Sequence, residues 1–382
     1  MKEMSFPPSL SYWEIKEYFM DVDLLVVGSG IVGLTTAIFY KEKNPGSKIL
    51  IVERGMLPLG ASTKNAGFAC FGSPSEILAD LKKGDLEQVY KTIEARIDGL
   101  KELRSLVGDK ALRLELSGGF ELFRSEDEAY DHCLSNIQAL NREFASRFGQ
   151  SDAFRTFDEL IPAFGFKGVK HLIGNLAEGA IDTGSMMRTL LNMVNQKGVA
   201  VLNGLQVVSF ENRSEKVEVS FTNGMTFKCG HMHVATNGFA TMLLPELNVN
   251  PARAQVLITE PIAGLKVRGT FHLNEGYYYF RNLDDRILLG GGRQLNFDGE
   301  TTTDIQLTEQ IQADLNAHLR QMILPDTDFK IAHRWAGIMG VGESKQPILK
   351  RISPNVSCSV RLGGMGVAIG TTLGRKAADL IG

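Results

Sequence analysis

Residues Asp23 to Glu53, DLLVVGSGIVGLTTAIFYKEKNPGSKILIVE, read as a strand, a Gly-rich turn, a helix and a second strand that ends in an acid. Gly28, Gly30 and Gly33 form a GxGxxG motif, with the apolar run Leu24 to Val27 before it and an Ala-, Leu- and Thr-rich helix after it. Glu53 stands twenty residues beyond Gly33. That context turns a weak motif into a strong constraint on the fold.

Each position has a physical reason. Gly28 permits a turn that a Cβ strains, Gly30 lets the backbone approach a pyrophosphate, and Gly33 lets the helix pack closely on the strand. The helix amino terminus, at Ile31 and Val32, then directs amide groups and a positive dipole end at the phosphates. Glu53 accepts hydrogen bonds from both hydroxyls of an adenosine ribose and repels a ribose 2′-phosphate. NADP is disfavoured, and FAD or NAD remains.

The chain of 382 residues is long enough for two cores, and 43% apolar with 22% charged residues is ordinary for a globular enzyme. A net charge of −3 with interspersed signs provides no basic stripe, so a nucleic-acid partner is not expected. The amino-terminal stretch carries acids and aromatics where a secretory signal has an unbroken apolar run. No segment reaches the ~18 apolar residues of a membrane span, and a cytoplasmic protein is expected. Cys70, Cys133, Cys229 and Cys358 form no CxxC pair, which points to four free, mostly buried thiols and no metal site.

Apolar periodicity predicts helices over 75–107, with a break at Lys83-Gly84-Asp85, over 126–148 from Glu126, over 183–196 with a cap from Asp182 or Thr183, and over 305–323. Strands are expected at 112–116, 119–123, 199–202, 231–235, 254–259, 276–281 and 286–290. Val217 to Phe221 and Met225 to Cys229 flank Asn223-Gly224, a strong hairpin signal. At the other end of the chain a strand runs into Gly363-Gly364-Met365-Gly366 and then a helix from Val367 to Ile381. Two Gly-rich turns that each feed a helix amino terminus suit the two ends of one long cofactor, as FAD requires.

With these residues in view, the chain resembles the D-amino-acid oxidase superfamily of FAD enzymes, which includes glycine oxidase and sarcosine oxidase. The landmarks are VVGSGIVGLTTA, Glu53 with Arg54, GASTKNAGF, VATNGF, PARAQV, YYYFR, HRWAGIMG and GGMGVAIG, in that order over nearly the whole length. The resemblance implies an α/β fold: a discontinuous Rossmann-like FAD-binding domain (1–80, 175–250 and 331–382) and an α+β substrate domain with a large antiparallel sheet (81–174 and 251–330). It assigns the pyrophosphate to Gly28, Gly30, Ile31, Val32 and Gly33, and the adenosine side to Glu53, Arg54 and Val207. Ala61, Ser62, Asn65, Ala66 and Gly67 take the diphosphate and flavin side, Asn237 and Gly238 the strand end, and Gly364, Met365 and Gly366 the edge of the isoalloxazine.

The resemblance also implies oxidation of a small amine or amino acid by hydride transfer to flavin N5, with the imine then hydrolysed and oxygen as a candidate acceptor. The alternatives are a dehydrogenase of the same fold that acts on a hydroxy acid or uses another acceptor, and a flavin-binding module without turnover. Members that tether flavin through histidine carry it where this chain has Asn65, and those that tether through cysteine carry it where this chain reads MGVGES, so non-covalent FAD is expected. Glycine oxidase has its carboxylate-binding arginine where this chain has Met339, and an aspartate where it has Ser344. Arg281 either supplies the missing cation or is a sheet arginine paired with an acid such as Asp284. Arg334, Tyr279 and Met339 complete the substrate candidates. Tyr277 and Tyr279 point to one face of their strand and Tyr278 to the other. No oligomeric state is implied.

Overall fold

The computed structural model describes residues 5–124, 128–213 and 215–382. No helix among them is long and apolar enough to cross a membrane. Two eight-stranded sheets organise the chain.

The first sheet is built on five parallel strands in the order Val356–Val360, Thr226–Val234, Val22–Val27, Ile49–Glu53 and Ala200–Asn203. Val22–Val27 is central and almost continuously buried, as a strand covered on both faces must be. The fingerprint helix Ile31–Lys43 follows it directly. Thr226–Val234 is one strand with two tasks. Its first half closes the Asn223-Gly224 hairpin against Lys216–Phe221, and its second half lies parallel between Val22–Val27 and Val356–Val360. The sequence divides it in two because the hairpin signal and the apolar run look like separate elements.

The second sheet runs Ile331–Val341, Asn250–Thr259, Arg286–Gly291, Tyr278–Leu283, Thr270–Leu273, Gly119–Arg124, Val169–Asn175 and Arg155–Thr156. All its pairings are antiparallel except Thr270–Leu273 with Gly119–Arg124. Ile331–Val341, grouped by sequence with the nucleotide-binding segments, joins this sheet through a register with Asn250–Thr259 that spans its whole length.

Several local signals appear as expected. Helices Pro74–Lys83 and Leu86–Val107 break at Gly84-Asp85, and Asp85 caps the second by accepting from the Gln88 amide. Thr183–Gln196 is capped by Asp182, which accepts from Ser185. The helix expected from Glu126 is seen as Ala129–Phe148, and residues 125–127 lie outside the described residues. Leu112–Leu116 is not a strand. Asp109–Leu112 is a helical turn, Arg113 takes a left-handed φ of 48° that breaks any extension, and Glu115 makes an isolated bridge to Ala180. The helix expected from Ile305 starts at Glu309, because the Thr308 amide is held by Gln255 Oε1 at 3.0 Å. Val169–Asn175, Val207–Arg213, Thr270–Leu273 and Ile348–Ser353 are strands without a clear sequence signal. All four cysteines are buried.

The carboxy-terminal helix Gly366–Ile381 lies on the fingerprint helix, and its glycines set the distance. A Cβ at Gly370 would fall 2.8 Å from Ile31 Cγ2, and one at Gly374 would fall 2.0 Å from Thr35 Oγ1. The two helices therefore begin side by side, which brings the two glycine hinges to one crevice.

Candidate functional site

A cavity of about 660 Å³ runs from the first hinge, past the second, to the second sheet. At one end of it lie Glu53, Arg54 and Val207. Glu53 is buried, and its position is fixed from both oxygens. Ser29 donates to Oε2 through its amide (3.2 Å) and hydroxyl (3.0 Å), while the Gly55 and Leu59 amides donate to Oε1 at 3.0 and 3.4 Å. The Arg54 guanidinium lies 3.8 Å over the Phe239 ring, a cation–π contact that forms a wall of this end.

Gly28, Gly30, Ile31 and Val32 line the middle of the cavity with Ala61, Ser62, Asn65, Ala66 and Gly67 from the facing loop. Ser62 Oγ accepts from the Ile31 amide at 2.9 Å, so the loop docks on the helix amino terminus. Asn65 shapes the loop: its Nδ2 donates to the Ala61 and Ser62 carbonyls, and its Oδ1 accepts from the Gly67 amide and Thr183 Oγ1. Gly33 does not line the cavity. A Cβ there would stand 2.0 Å from the Gly28 carbonyl oxygen, so its place is the contact that keeps the turn tight.

Gly364, Met365 and Gly366 line the cavity opposite the first hinge, with Asn237 beside them. Asn237 Oδ1 accepts from the Arg361 and Leu362 amides at 3.1 and 3.2 Å, which ties the strand end to the second hinge. Gly238 supports the site from outside: a Cβ there would fall 2.4 Å from the Met339 carbonyl oxygen. Thr236 Oγ1, in the cavity wall, is buried with no hydrogen-bond partner in the protein. Two adjacent helix amino termini, a glycine-lined approach, a buried acid and an orphaned hydroxyl fit FAD. Glu53 and Val207 would hold the adenosine, the first hinge and Ser62 the pyrophosphate, and Gly364 to Gly366 the isoalloxazine edge.

At the second-sheet end, Tyr277 and Tyr279 line the cavity, while Tyr278 is buried on the opposite face with its hydroxyl donating to Asp314 at 2.7 Å. Phe68 meets both His272 and Tyr279 edge-on, with ring centroids 5.0 and 5.8 Å apart. Burial holds His272 down at about 4 and pushes Tyr279 up to about 12, so near neutrality neither of these two side chains is charged. Met339 lies here too, with its sulfur 3.4 Å from the position of a Gly364 Cβ.

Arg281 and Arg334 do not line the cavity. The Arg281 side chain is buried, with Nη1 donating to the carbonyls of Ile181 (2.8 Å), Gly67 (3.2 Å) and Ala66 (3.4 Å) and Nε to that of Asn282. It binds the cofactor loop from behind, and Asp284 makes no ion pair with it. Arg334 donates to Gln312 on the far side of its strand.

Sequence reasoning passed over Arg293 and Glu76 in the wall, and it read Lys345, which also lines the cavity, as a solvated loop lysine in preference to one near the flavin. Arg293 lines the cavity on the turn after Gly291 and Gly292. Lys345 donates to Glu76 at 2.9 Å and Asp80 at 2.7 Å, closing one side of the cavity. Burial opposes ionisation of Glu76, but Arg96 and Lys345 hold its carboxyl down at about 2. A lysine near a Gly-rich loop and a lone Glu on a helix give no pairwise signal in sequence.

The comparisons with known proteins agree with this geometry. A relative described as a probable oxidoreductase OrdL, from Rhizobium meliloti (strain 1021), is 22% identical over 372 residues, 94% of this chain and 82% of its own. Glycine oxidase from Geobacillus kaustophilus superimposes with a TM-score of 0.74 at 19% identity, over 94% of both chains. L-proline dehydrogenase from P.horikoshii gives 0.73 at 17% identity, over 94% of this chain and 93% of that one. The family model described as "FAD dependent oxidoreductase" matches residues 23–380, and the chain belongs to this DAO family of FAD-dependent oxidoreductases.

Proposed function

We propose that the protein oxidises the C–N bond of a small amine or amino acid, to an imine that water hydrolyses. The observation that carries this reading is the continuity of the cavity: the crevice between the two hinges opens directly onto the aromatic wall of the second sheet. When bound, the flavin supplies the two-electron acceptor for a C–H bond held against it. The chain's part is to bind, orient and exclude water. Tyr279, protonated, offers a hydroxyl; His272, neutral, brings no charge to repel an incoming amine; Phe68 and Met339 exclude solvent. No side chain at this end is a strong base, so the substrate reacts as the neutral amine. Solved structures of this fold include glycine oxidase and L-proline dehydrogenase, which favours amino acids and leaves both oxygen and another acceptor in play.

The FAD is held without a covalent bond. Asn65 occupies the place of a tethering histidine, and Cys70, the cysteine in the cavity wall, stays a thiol because burial and the nearby Glu178 and Glu76 carboxylates push it far up.

The test is an anaerobic screen of the visible flavin band with N-methyl amino acids, D-amino acids, glycine and polyamine derivatives. Bleaching by one class is expected; a band that no amine or amino acid bleaches removes the reading in favour of a binding module. Stopped-flow reoxidation of the reduced protein by air then separates an oxidase from a dehydrogenase.

A further inference from the structure

Two segments that wall the cavity meet only through their side chains. One is the helix Pro74–Lys83, which lends the wall Glu76, Ala79, Asp80 and Lys83, at the i, i+3, i+4 and i+7 spacing of a single face. The other is the connection 342–346 between the strands Ile331–Val341 and Ile348–Ser353, which lends Ser344 and Lys345. Residues 342–346 make no backbone–backbone hydrogen bond among the described residues.

The span is closed by two side chains of the connection. Lys345 Nζ donates to Glu76 Oε1 and Asp80 Oδ2, and Gln346 Nε2 donates to Thr92 Oγ1 on the helix Leu86–Val107. Arg361, at the foot of the second hinge, donates to the Gln346 carbonyl through Nε and Nη2 at 3.1 and 3.0 Å. The Lys345 carbonyl oxygen stands 4.0 Å from the position of a Gly363 Cβ, so the connection lies against that hinge.

The Lys345 bonds can be broken without stranding a buried charge. The Lys345 side chain is 46% exposed and that of Asp80 24%, so water replaces what each loses. Glu76 keeps Arg96, at 3.1 Å and only 4% exposed, which leaves its carboxylate compensated when the lysine departs. Ion pairs this exposed contribute little net stability. The fully enclosed pair Arg253–Glu300, with side chains 7% and 1% exposed, has the opposite character and no such freedom. A segment without backbone bonds, fastened by weak charged contacts, belongs to the easily opened part of a fold.

We propose that residues 342–346 are a gate between solvent and the hinge end of the cavity, held shut by Lys345 across to Glu76 and Asp80. Release of these two bonds swings the connection from the helix Pro74–Lys83 while Arg361 keeps its Gln346 end in place. The gate admits small molecules to the bound flavin and, when shut, excludes water from it. It does not depend on which bond is oxidised.

The experiment measures acrylamide quenching of flavin emission in the FAD-loaded protein at low and high KCl. Lys345→Met, which keeps the stem and removes the charge, should raise the quenching constant by ~3- to 10-fold at low salt, the range that one or two exposed ion pairs correspond to. Wild type should approach the same constant in about 1 M KCl, where charges are screened beyond ~3 Å, whereas Lys345→Met should ignore salt. Lys345→Arg should stay near the wild type, and Asp80→Asn should lie between. FAD content and urea midpoint should not change, which separates a gate from a structural pair. Should Lys345→Met lose FAD, amide hydrogen exchange of 342–346 in the apoprotein carries the same expectation: faster in the variant, with the helix Pro74–Lys83 unchanged. Quenching and exchange that are equal in wild type and Lys345→Met overturn the gate, and the amine screen above stands or falls independently of that result.

Discussion

The Arg281 guanidinium donates to the carbonyl of Ile181 at 2.8 Å and, from the same nitrogen, to Gly67 at 3.2 Å. This one side chain fastens the cofactor-facing loop to the segment that leads into helix Thr183–Gln196. Arg281→Ala should therefore act on stability, at a cost on the order of 2–4 kcal/mol, because it strands buried carbonyls that have lost a charged donor. Urea unfolding of the holoprotein measures it. A variant of wild-type stability with a weakened response to carboxylates would return Arg281 to the substrate site.

The contact between the two hinge-bearing helices admits no side chain at Gly374. In Gly374→Ala the new methyl meets Thr35 Oγ1, a fully buried group, and overpacking of this kind costs about 1–3 kcal/mol. FAD affinity should fall with stability, since the helix starts are pushed apart, whereas Lys376→Ala on the same helix should leave both unchanged. Reconstitution of the apoprotein with FAD, followed by flavin fluorescence quenching, reads the difference.

Glu53→Gln keeps the shape of the side chain and removes its charge. The four donors from Ser29, Gly55 and Leu59 then face an amide that can accept through one oxygen only. FAD Kd should rise at least ~10-fold, and equilibrium dialysis of the apoprotein is the check.

Stability should depend on pH through two opposed pairs. His231 and His233 form a buried chain with Ser357 and Ser359, in which His231 Nε2 and His233 Nδ1 both lie 2.8 Å from Ser357 Oγ. Burial holds these histidines down at about 4 and about 3. The unfolded chain binds more protons than the folded one below pH 6.5, so this contribution is lost as pH falls from 6.5 towards 3. Glu121 and Glu178 are pushed up to about 7 by burial, so the folded chain keeps protons that the unfolded chain releases, and stability is lost as pH rises from 4.5 to 7. The pairs should offset each other between pH 4.5 and 6.5 and leave a steep loss below. Replacing both histidines by asparagine should flatten the acid limb of the urea midpoint against pH; a limb of unchanged slope would assign it to other groups.

Acid precipitation should release a yellow supernatant and leave a colourless pellet. Colour retained in the pellet would show a covalent flavin.

What the sequence made legible is what short-range chemistry controls. The glycine spacing of 28, 30 and 33, the Asp182 cap, the break at Gly84-Asp85 and the Asn223-Gly224 hairpin each act within a few residues, and each appears where expected. The role of Arg281 was not legible, because its partners are carbonyls at 66, 67 and 181, distant in sequence and carrying no side-chain signature. Arg293 was overlooked because its place in the wall depends on the turn at Gly291 and Gly292, whose left-handed φ values of 129° and 81° leave no side-chain signature in the sequence. The strand Thr270–Leu273 shows the same limit in the fold, since its four residues owe their conformation to Gly119–Arg124 and Tyr278–Leu283 on either side.

The adjacency of Ile31 and Gly370 also makes the crevice a long-range product of folding: its two sides come from segments far apart in the chain, and neither shapes it until helices Ile31–Lys43 and Gly366–Ile381 have packed together.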